Sequence, residues 1–261
     1  MSATVPSLQA FSETSRDVAR SATRLAATVA TVLAVRKARA RMALLDEGRR
    51  HDTGAQILSG LARDLLDAHG VTIECTGRLP TAPAVLVANH VSYLDPLLIA
   101  SFVPIVPVAK IEAAAWPVLG ETMRTLGVLF VDRHEPASGA AVIREGSRIA
   151  AEGTSILGFP EGTTSNGDSV LQFYRGLFVI AQEARVPVIP IALRYVSREM
   201  SWVGRDSFVP HYLRATTRPS TRVLLSFGSP LDSASFPDAI SLATAAHAVV
   251  TSLHRQKSSH S

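Results

Sequence analysis

Val85-Leu86-Val87-Ala88-Asn89-His90-Val91-Ser92-Tyr93-Leu94-Asp95-Pro96 runs from a short apolar segment, partly β-branched, through a polar loop into a helix-favouring stretch that stays apolar to Val103. That succession reads as strand, loop and helix, the repeating unit of an α/β fold. His90 and Asp95 then lie five positions apart on a connection at a strand end, where chemistry-bearing side chains collect. His90 can remove a proton from a hydroxyl near neutral pH when its other ring nitrogen donates to Asp95, which fixes the tautomer and stabilises the imidazolium that forms. No side-chain nucleophile is then needed. A second reading is local: Ser92 and Asp95 have capping-box spacing, with aspartate for the usual glutamate, and Pro96 suits an early helical position.

Working outward, strand-like runs fall at residues 71–75, 84–88, 105–109, 128–132, 155–159, 188–193 and 222–227, with helical stretches at 139–151, 176–184 and 238–256 between some of them. The expected fold class is α/β: a central, mostly parallel sheet flanked by helices, with ligands gathered at the carboxyl ends of its strands. Residues 53–69 carry Ile57, Leu58, Leu61, Leu65 and Leu66 on one side and stop at Gly70, which predicts a second N-terminal helix able to pair with the first. The expected organisation is therefore 1–70 as an N-terminal basic, amphipathic helical pair and 71–261 as the α/β domain. Residues 198–220, with Trp202, Phe208, Tyr212 and arginines, read either as an excursion toward a membrane or acyl donor or as a surface loop.

The charge is unevenly placed. Between Arg16 and Arg50 nine Lys or Arg face three acids, a local +6 against +4 for the whole chain, so the remainder is slightly acidic. Arg16, Arg20 and Arg24 recur on one helical face, Leu25 to Val35 is almost continuously apolar, and Arg36, Lys37, Arg39 and Arg41 close the run. An eleven-residue run falls short of the ~20 that cross a hydrocarbon core, so the expectation is a helix lying in an anionic leaflet. A cleaved signal peptide places its basic residues before the apolar core, not after it as well; a transit peptide and a helix packed on the domain are the other readings.

The 261 residues, 47% apolar and 18% charged, fill one large core without internal repeats. The single cysteine, Cys75, rules out an intramolecular disulfide framework and reads as a small buried hydrophobe. The eight histidines never adopt the i, i+4 spacing of a helical zinc site, so no catalytic metal is expected. Gly-x-Gly-x-x-Gly, Walker and Gly-x-Ser-x-Gly patterns are absent, which argues against the nucleotide folds and the triad hydrolases built on them.

Three further blocks follow His90: Gly127-Val128-Leu129-Phe130-Val131-Asp132-Arg133, Phe159-Pro160-Glu161-Gly162-Thr163-Thr164-Ser165 and Val186-Pro187-Val188-Ile189-Pro190. Arg133 projects from a strand end, where a guanidinium holds a phosphate or carboxylate bidentately, unless it pairs with Asp132 or Glu135. Pro160 and Gly162 force a tight turn that can aim amides and the Glu161 carboxylate at one point.

In this order the four blocks resemble the glycerolipid acyltransferase family, which includes the 1-acylglycerol-3-phosphate acyltransferases and is defined by an NHxxxxD box. The resemblance covers about Leu79 to Leu193, and more weakly to Asp232. It implies His90 as general base, Asp95 as its partner, and Arg133, Glu161, Gly162 and Thr163 as acceptor-binding positions; Lys110 and Gly120 also resemble family positions. It implies direct attack of a lysolipid hydroxyl on an acyl thioester, with coenzyme A or acyl carrier protein leaving and no cofactor beyond that co-substrate. One departure stands out: phosphatidate-forming members commonly carry arginine where this chain has Thr164, and Arg175, in a segment similar to the family's Pro-Phe-Lys-Lys-Gly, is the cation that can replace it. The pattern resembles acyltransferases of lysophospholipids or lyso-ornithine lipids at least as well as lysophosphatidate enzymes. The expected partners are a lysolipid, acyl-CoA or acyl carrier protein and an anionic membrane surface, with no nucleic acid, and the expected location is peripheral, on the cytoplasmic face of the inner or plasma membrane. A lipid-binding scaffold without turnover and a water-using thioesterase or esterase are the readings from other classes.

Overall fold

The computed structural model describes residues 8–202 and 208–256. In chain order these are α1 (Leu8–Met42), α2 (Glu47–Ala68), β1 (Val71–Thr76), β2 (Val85–Ala88), α3 (Asp95–Ala100), β3 (Ile105–Lys110), α4 (Leu119–Thr125), β4 (Leu129–Val131), α5 (Pro136–Ala151), β5 (Ser155–Gly158), α6 (Gly176–Ala184), β6 (Val188–Tyr195), α7 (Phe208–Thr216), β7 (Thr221–Phe227) and α8 (Ala239–Arg255). All seven expected strands form. Two helices, α2 and α5, start earlier than periodicity suggests, for local reasons. Asp46 caps α2 by accepting from Arg49 N at 2.8 Å, and Pro136 supplies the preset φ of a first helical turn in α5.

The strands form one sheet in the order β1-β7-β6-β2-β5-β3-β4. β6, β2, β5, β3 and β4 run parallel, while β7 pairs antiparallel with β6 and carries β1 parallel to itself, so the two outer strands run against the other five. The carboxyl ends of the five parallel strands therefore share one edge, which is where the site lies. Successive residues on a strand face opposite sides, and both sides are covered. Leu86, Leu157 and Leu193 pack with Leu58, Leu66, Leu98 and Ile99 of α2 and α3. Val85, Ile156 and Val188 pack with Ile149, Phe178, Ile180 and Leu242 of α5, α6 and α8. Leu98, Ile99 and Phe178 are completely buried, each worth about 1.5–3 kcal/mol relative to exposure. Cys75 departs from expectation: it is exposed, because β1 is an edge strand with its outer side toward solvent.

Helix α1 is longer than its apolar run, and Ser15–Met42 contains an 18-residue window of mean hydropathy 1.3, enough by length and composition to cross a bilayer. One face of it belongs to the protein. Arg24, 4% exposed, donates to the carbonyls of Thr216 (2.9 Å), Arg218 and Pro219 (3.3 Å) beyond α7 and to Ala68 at the end of α2 (3.4 Å). These are the orphan acceptors of two helix C-termini, and a buried cation satisfies them. Arg20 bonds Thr217 O, Arg39 and Arg36 pair with Glu121 of α4, and Thr28 shares a hydrogen bond with Tyr212. The arginine face read as facing lipid is thus turned inward at Arg24 and Arg20. The outward face carries Val18, Leu25, Val29 and Leu33, between 39% and 64% exposed, and leads to Arg36 and Lys37.

Candidate active site

Every candidate group follows the carboxyl end of a parallel strand. In lateral order Tyr195 closes β6, His90 follows β2, Phe159 and Glu161 follow β5, Lys110 ends β3 and Arg133 follows β4. Adjacent strands lie about 4.8 Å apart, so sheet geometry alone sets these side chains in a row.

His90 is held on all sides. Its backbone N–H donates to Glu161 Oε2 at 3.0 Å and its carbonyl accepts from Ser165 N at 2.8 Å. Its imidazole lies 14° from parallel to the Phe159 ring, with centroids 4.0 Å apart. The preceding Asn89 accepts from Leu193 N at 2.8 Å and donates to Leu193 O at 2.9 Å, fastening the start of the loop to β6.

Nδ1 of His90 is 2.8 Å from Asp95 Oδ2, which also accepts from Val91 N at 2.7 Å and Ser92 N at 2.9 Å. The bond from Ser92 N is the reach-back half of a capping box. The reciprocal half is missing, since Asp95 N goes to Ser92 O at 3.1 Å and α3 has no side-chain cap. One carboxylate therefore performs both roles weighed from the sequence: it shapes the loop and holds the imidazole. Asp95 is fully buried, and Oδ1 accepts from the Tyr195 hydroxyl at 2.6 Å. An oxygen surrounded by N–H donors is an acceptor only, so the shared proton belongs on Nδ1 and the Nε2 lone pair stays available.

Glu161 is 4% exposed, and besides His90 N it accepts from Leu171 N at 2.9 Å through Oε1. Burial pushes its pKa up to about 7, opposed by those two backbone donors. Both oxygens are thus engaged by backbone, tying the loop of residues 159–171 to the loop of His90. Gly162 has φ +71°, and a Cβ there would fall 2.9 Å from Arg133 Nη1 and 3.2 Å from the Tyr174 ring, so glycine is what lets the guanidinium lie against this turn. No carboxylate pairs with Arg133 among the described residues; Asp132 instead accepts from His134 N at 2.9 Å. Lys110 is held below the ordinary lysine value by partial burial and by the Arg133 charge. Two mutually repelling cations beside a glycine turn make a place for an anion. Gly120 packs with its α-carbon against the Ala114 carbonyl, where a Cβ would lie 2.1 Å away.

Thr163 is exposed after Gly162, and Arg175 is exposed at the N-cap of α6, one residue beyond the Tyr174 ring that flanks Gly162. Neither shares a hydrogen bond with His90. Phe159 and Tyr195 have no role in the sequence reading although Phe159 stands in a quoted block; Asn89 shares that history. On the outer side of the loop, Tyr93 meets Trp202, Phe208 and His211 edge-on, and Trp202 N bonds Val91 O at 2.9 Å. Part of the excursion at 198–220 therefore braces the histidine loop; its residues 203–207 lie outside the described ones. Among the described residues no three His, Cys, Asp or Glu converge as metal ligands do.

A histidine and a carboxylate stand at the carboxyl edge of a mostly parallel sheet, beside two cations, and the family model described as Acyltransferase matches residues 71–194. Through that segment the chain is similar to the glycerolipid acyltransferases. It is 33% identical over 144 residues to the lyso-ornithine lipid O-acyltransferase of Pseudomonas aeruginosa, covering 53% of this chain and 55% of that protein. It is 31% identical over 150 residues to the 1-acyl-sn-glycerol-3-phosphate acyltransferase of Neisseria meningitidis, covering 57% and 59%. The matched segments thus span little more than half of these curated relatives. The crystal structure of the 1-acyl-sn-glycerophosphate acyltransferase PlsC from Thermotoga maritima shares the fold, with TM-score 0.67 and 22% identity over 94% of this chain and 99% of that one.

Proposed function

We propose that this protein is a membrane-peripheral acyltransferase that moves a fatty acyl group from acyl-CoA or acyl carrier protein to the hydroxyl of a lysolipid. The observation that carries the reading is the contact between His90 Nδ1 and buried Asp95 at 2.8 Å, which leaves Nε2 as a base. His90 Nε2 takes the acceptor's hydroxyl proton as its oxygen attacks the thioester carbonyl carbon. The tetrahedral intermediate then expels the thiolate, and the imidazolium returns the proton to sulfur. Arg133 and Lys110 hold the anionic part of the acceptor against the Gly162–Thr163 turn, with Arg175 at its outer rim, and Glu161 positions rather than binds, because its oxygens are already used.

Thr164, where lysophosphatidate enzymes commonly carry arginine, favours an acceptor without a terminal phosphate monoester, such as a lyso-ornithine lipid. The outward stripe of α1 supports lying on a leaflet rather than crossing it, because the inward face is bonded along its length to α7, α2 and α4. Lys37 and Arg41, exposed at the end of that stripe, suit an anionic cytoplasmic leaflet.

Purified protein given labelled acyl-CoA or acyl carrier protein and a panel of lysolipids tests this. Thioester loss should match acylated lipid formed, and His90→Ala should lower it roughly 100- to 10,000-fold with the fold intact. Fatty acid released without an acceptor would establish a thioesterase instead, and lipid binding without turnover a scaffold.

A further inference from the structure

An ionised carboxylate has about four lone-pair sites to fill, and at Asp95, fully buried, bulk water fills none of them. Three donors converge on Oδ2, whereas Oδ1 has the Tyr195 hydroxyl, 2.6 Å away and 100 residues on in the chain. We propose that Tyr195 is a positioning residue of the proton-transfer pair: by donating to Oδ1 it holds the Asp95 carboxylate turned so that Oδ2 faces His90 Nδ1. The inference rests on His90 being the base.

The strand makes this arrangement specific. Tyr195 is the last residue of β6, whose Leu193 is already fastened to Asn89 on both backbone groups, so the phenol is fixed relative to the same loop that carries His90. Burial and the neighbouring Asp95 charge raise the Tyr195 pKa well above that of an ordinary tyrosine, so the phenol keeps its proton and donates to the carboxylate at every working pH. Without that donor one oxygen of a buried anion is bare. Negative charge then concentrates toward His90 and favours imidazolium in the resting protein, where the base must be neutral, and the carboxylate loses the contact that fixes its rotation.

Tyr195→Phe keeps the ring and removes one oxygen. The kcat should fall roughly 10- to 100-fold, the range for losing an outer hydrogen-bond partner of a working group, with KM unchanged. The acidic limb of kcat/KM should move to higher pH. A readout independent of turnover is the His90 Nδ1–H proton resonance in protein carrying isotope-labelled histidine, which should move downfield. In an Asp95→Ala background, where no carboxylate remains to be held, Tyr195→Phe should change the rate no further. If Tyr195→Phe lowers only the melting temperature, leaving kcat, the pH limb and the resonance as in the wild type, or if its effect persists undiminished with Asp95→Ala, the proposal is overturned. Should the phenylalanine variant not fold, a ring-fluorinated tyrosine at 195, a stronger donor of the same shape, should move the resonance upfield; an unmoved resonance would overturn it equally. A wild type that acylates no lysolipid would sink the acyltransferase reading while leaving the resonance test standing.

Discussion

The imidazole of His90 and the ring of Phe159 lie face to face, 4.0 Å between centroids and 14° between planes, joining the ends of adjacent strands β2 and β5. The stack leaves the imidazole one orientation that also satisfies Asp95. Aromatic pairs are worth about 0.5–1.5 kcal/mol beyond buried area, so Phe159→Leu should lower kcat by up to about tenfold with little change in KM. Steady-state kinetics with a saturating acceptor would show it; a raised KM at unchanged kcat would mean that Phe159 contacts substrate instead.

Glu161 links pH to stability. Its folded-state value of about 7 lies above its ordinary 4.5, so the folded chain binds the extra proton between those limits. Stability from this group is present at low pH and is lost as pH rises from about 4.5 through about 7, by on the order of 3 kcal/mol. In Glu161→Gln that dependence is absent. Urea unfolding of both proteins at several pH values should show the variant gaining on the wild type as pH rises, and parallel curves would contradict the assignment.

Removing Arg24 takes the donor from the buried carbonyl of Thr216 and from the partly buried bonds to Arg218 and Pro219. Arg24→Ala should cost about 2–3 kcal/mol, and Arg24→Lys should recover only part of it, since one ammonium cannot span acceptors at the ends of two helices. Thermal unfolding measures both, and a fully stable alanine variant would show that α1 is not docked as described.

The outward stripe of α1 makes a separable prediction. Leu25, Val29 and Leu33 are all exposed, so with serine at the three positions the fold should survive while sedimentation with anionic vesicles weakens markedly. Binding should also fall as salt rises, because part of the attraction is Coulombic. Undiminished sedimentation of the triple variant would move the lipid contact elsewhere.

Thr164→Arg places a cation two residues beyond Gly162, the glycine against which Arg133 lies. Preference should shift toward lysophosphatidate over zwitterionic or amino-acid lysolipids, measured as the ratio of kcat/KM values. A wild type already selective for lysophosphatidate would remove the reason for the substitution.

The strands were legible because each is a short apolar run between turn residues, and the contact of His90 with Asp95 because both stand in one motif. What stayed hidden involves partners far along the chain. Glu161 bonds the backbone of His90, 71 residues away, and a backbone amide carries no residue signature. Tyr195 looks like the end of any apolar strand until β6 is known to lie beside β2. Arg24 resembled a lipid-facing cation because helical periodicity groups residues on a face without saying what that face meets. Likewise, no local pattern announces that β1 pairs with β7, the last strand made.

That last difficulty has a counterpart in time. The carbonyl that Arg24 grips at Thr216 is 192 residues further along the chain. At ~5–20 residues per second, a ribosome takes roughly 10 to 40 s to reach it after α1 has emerged. For that interval α1 exists without its seat on α7, β1 waits for β7, and the histidine loop lacks the strand that ends in Tyr195. The protein is thus closed by its own tail: a nascent chain stalled before residue 195 would carry His90 and Asp95 and still lack a working pair.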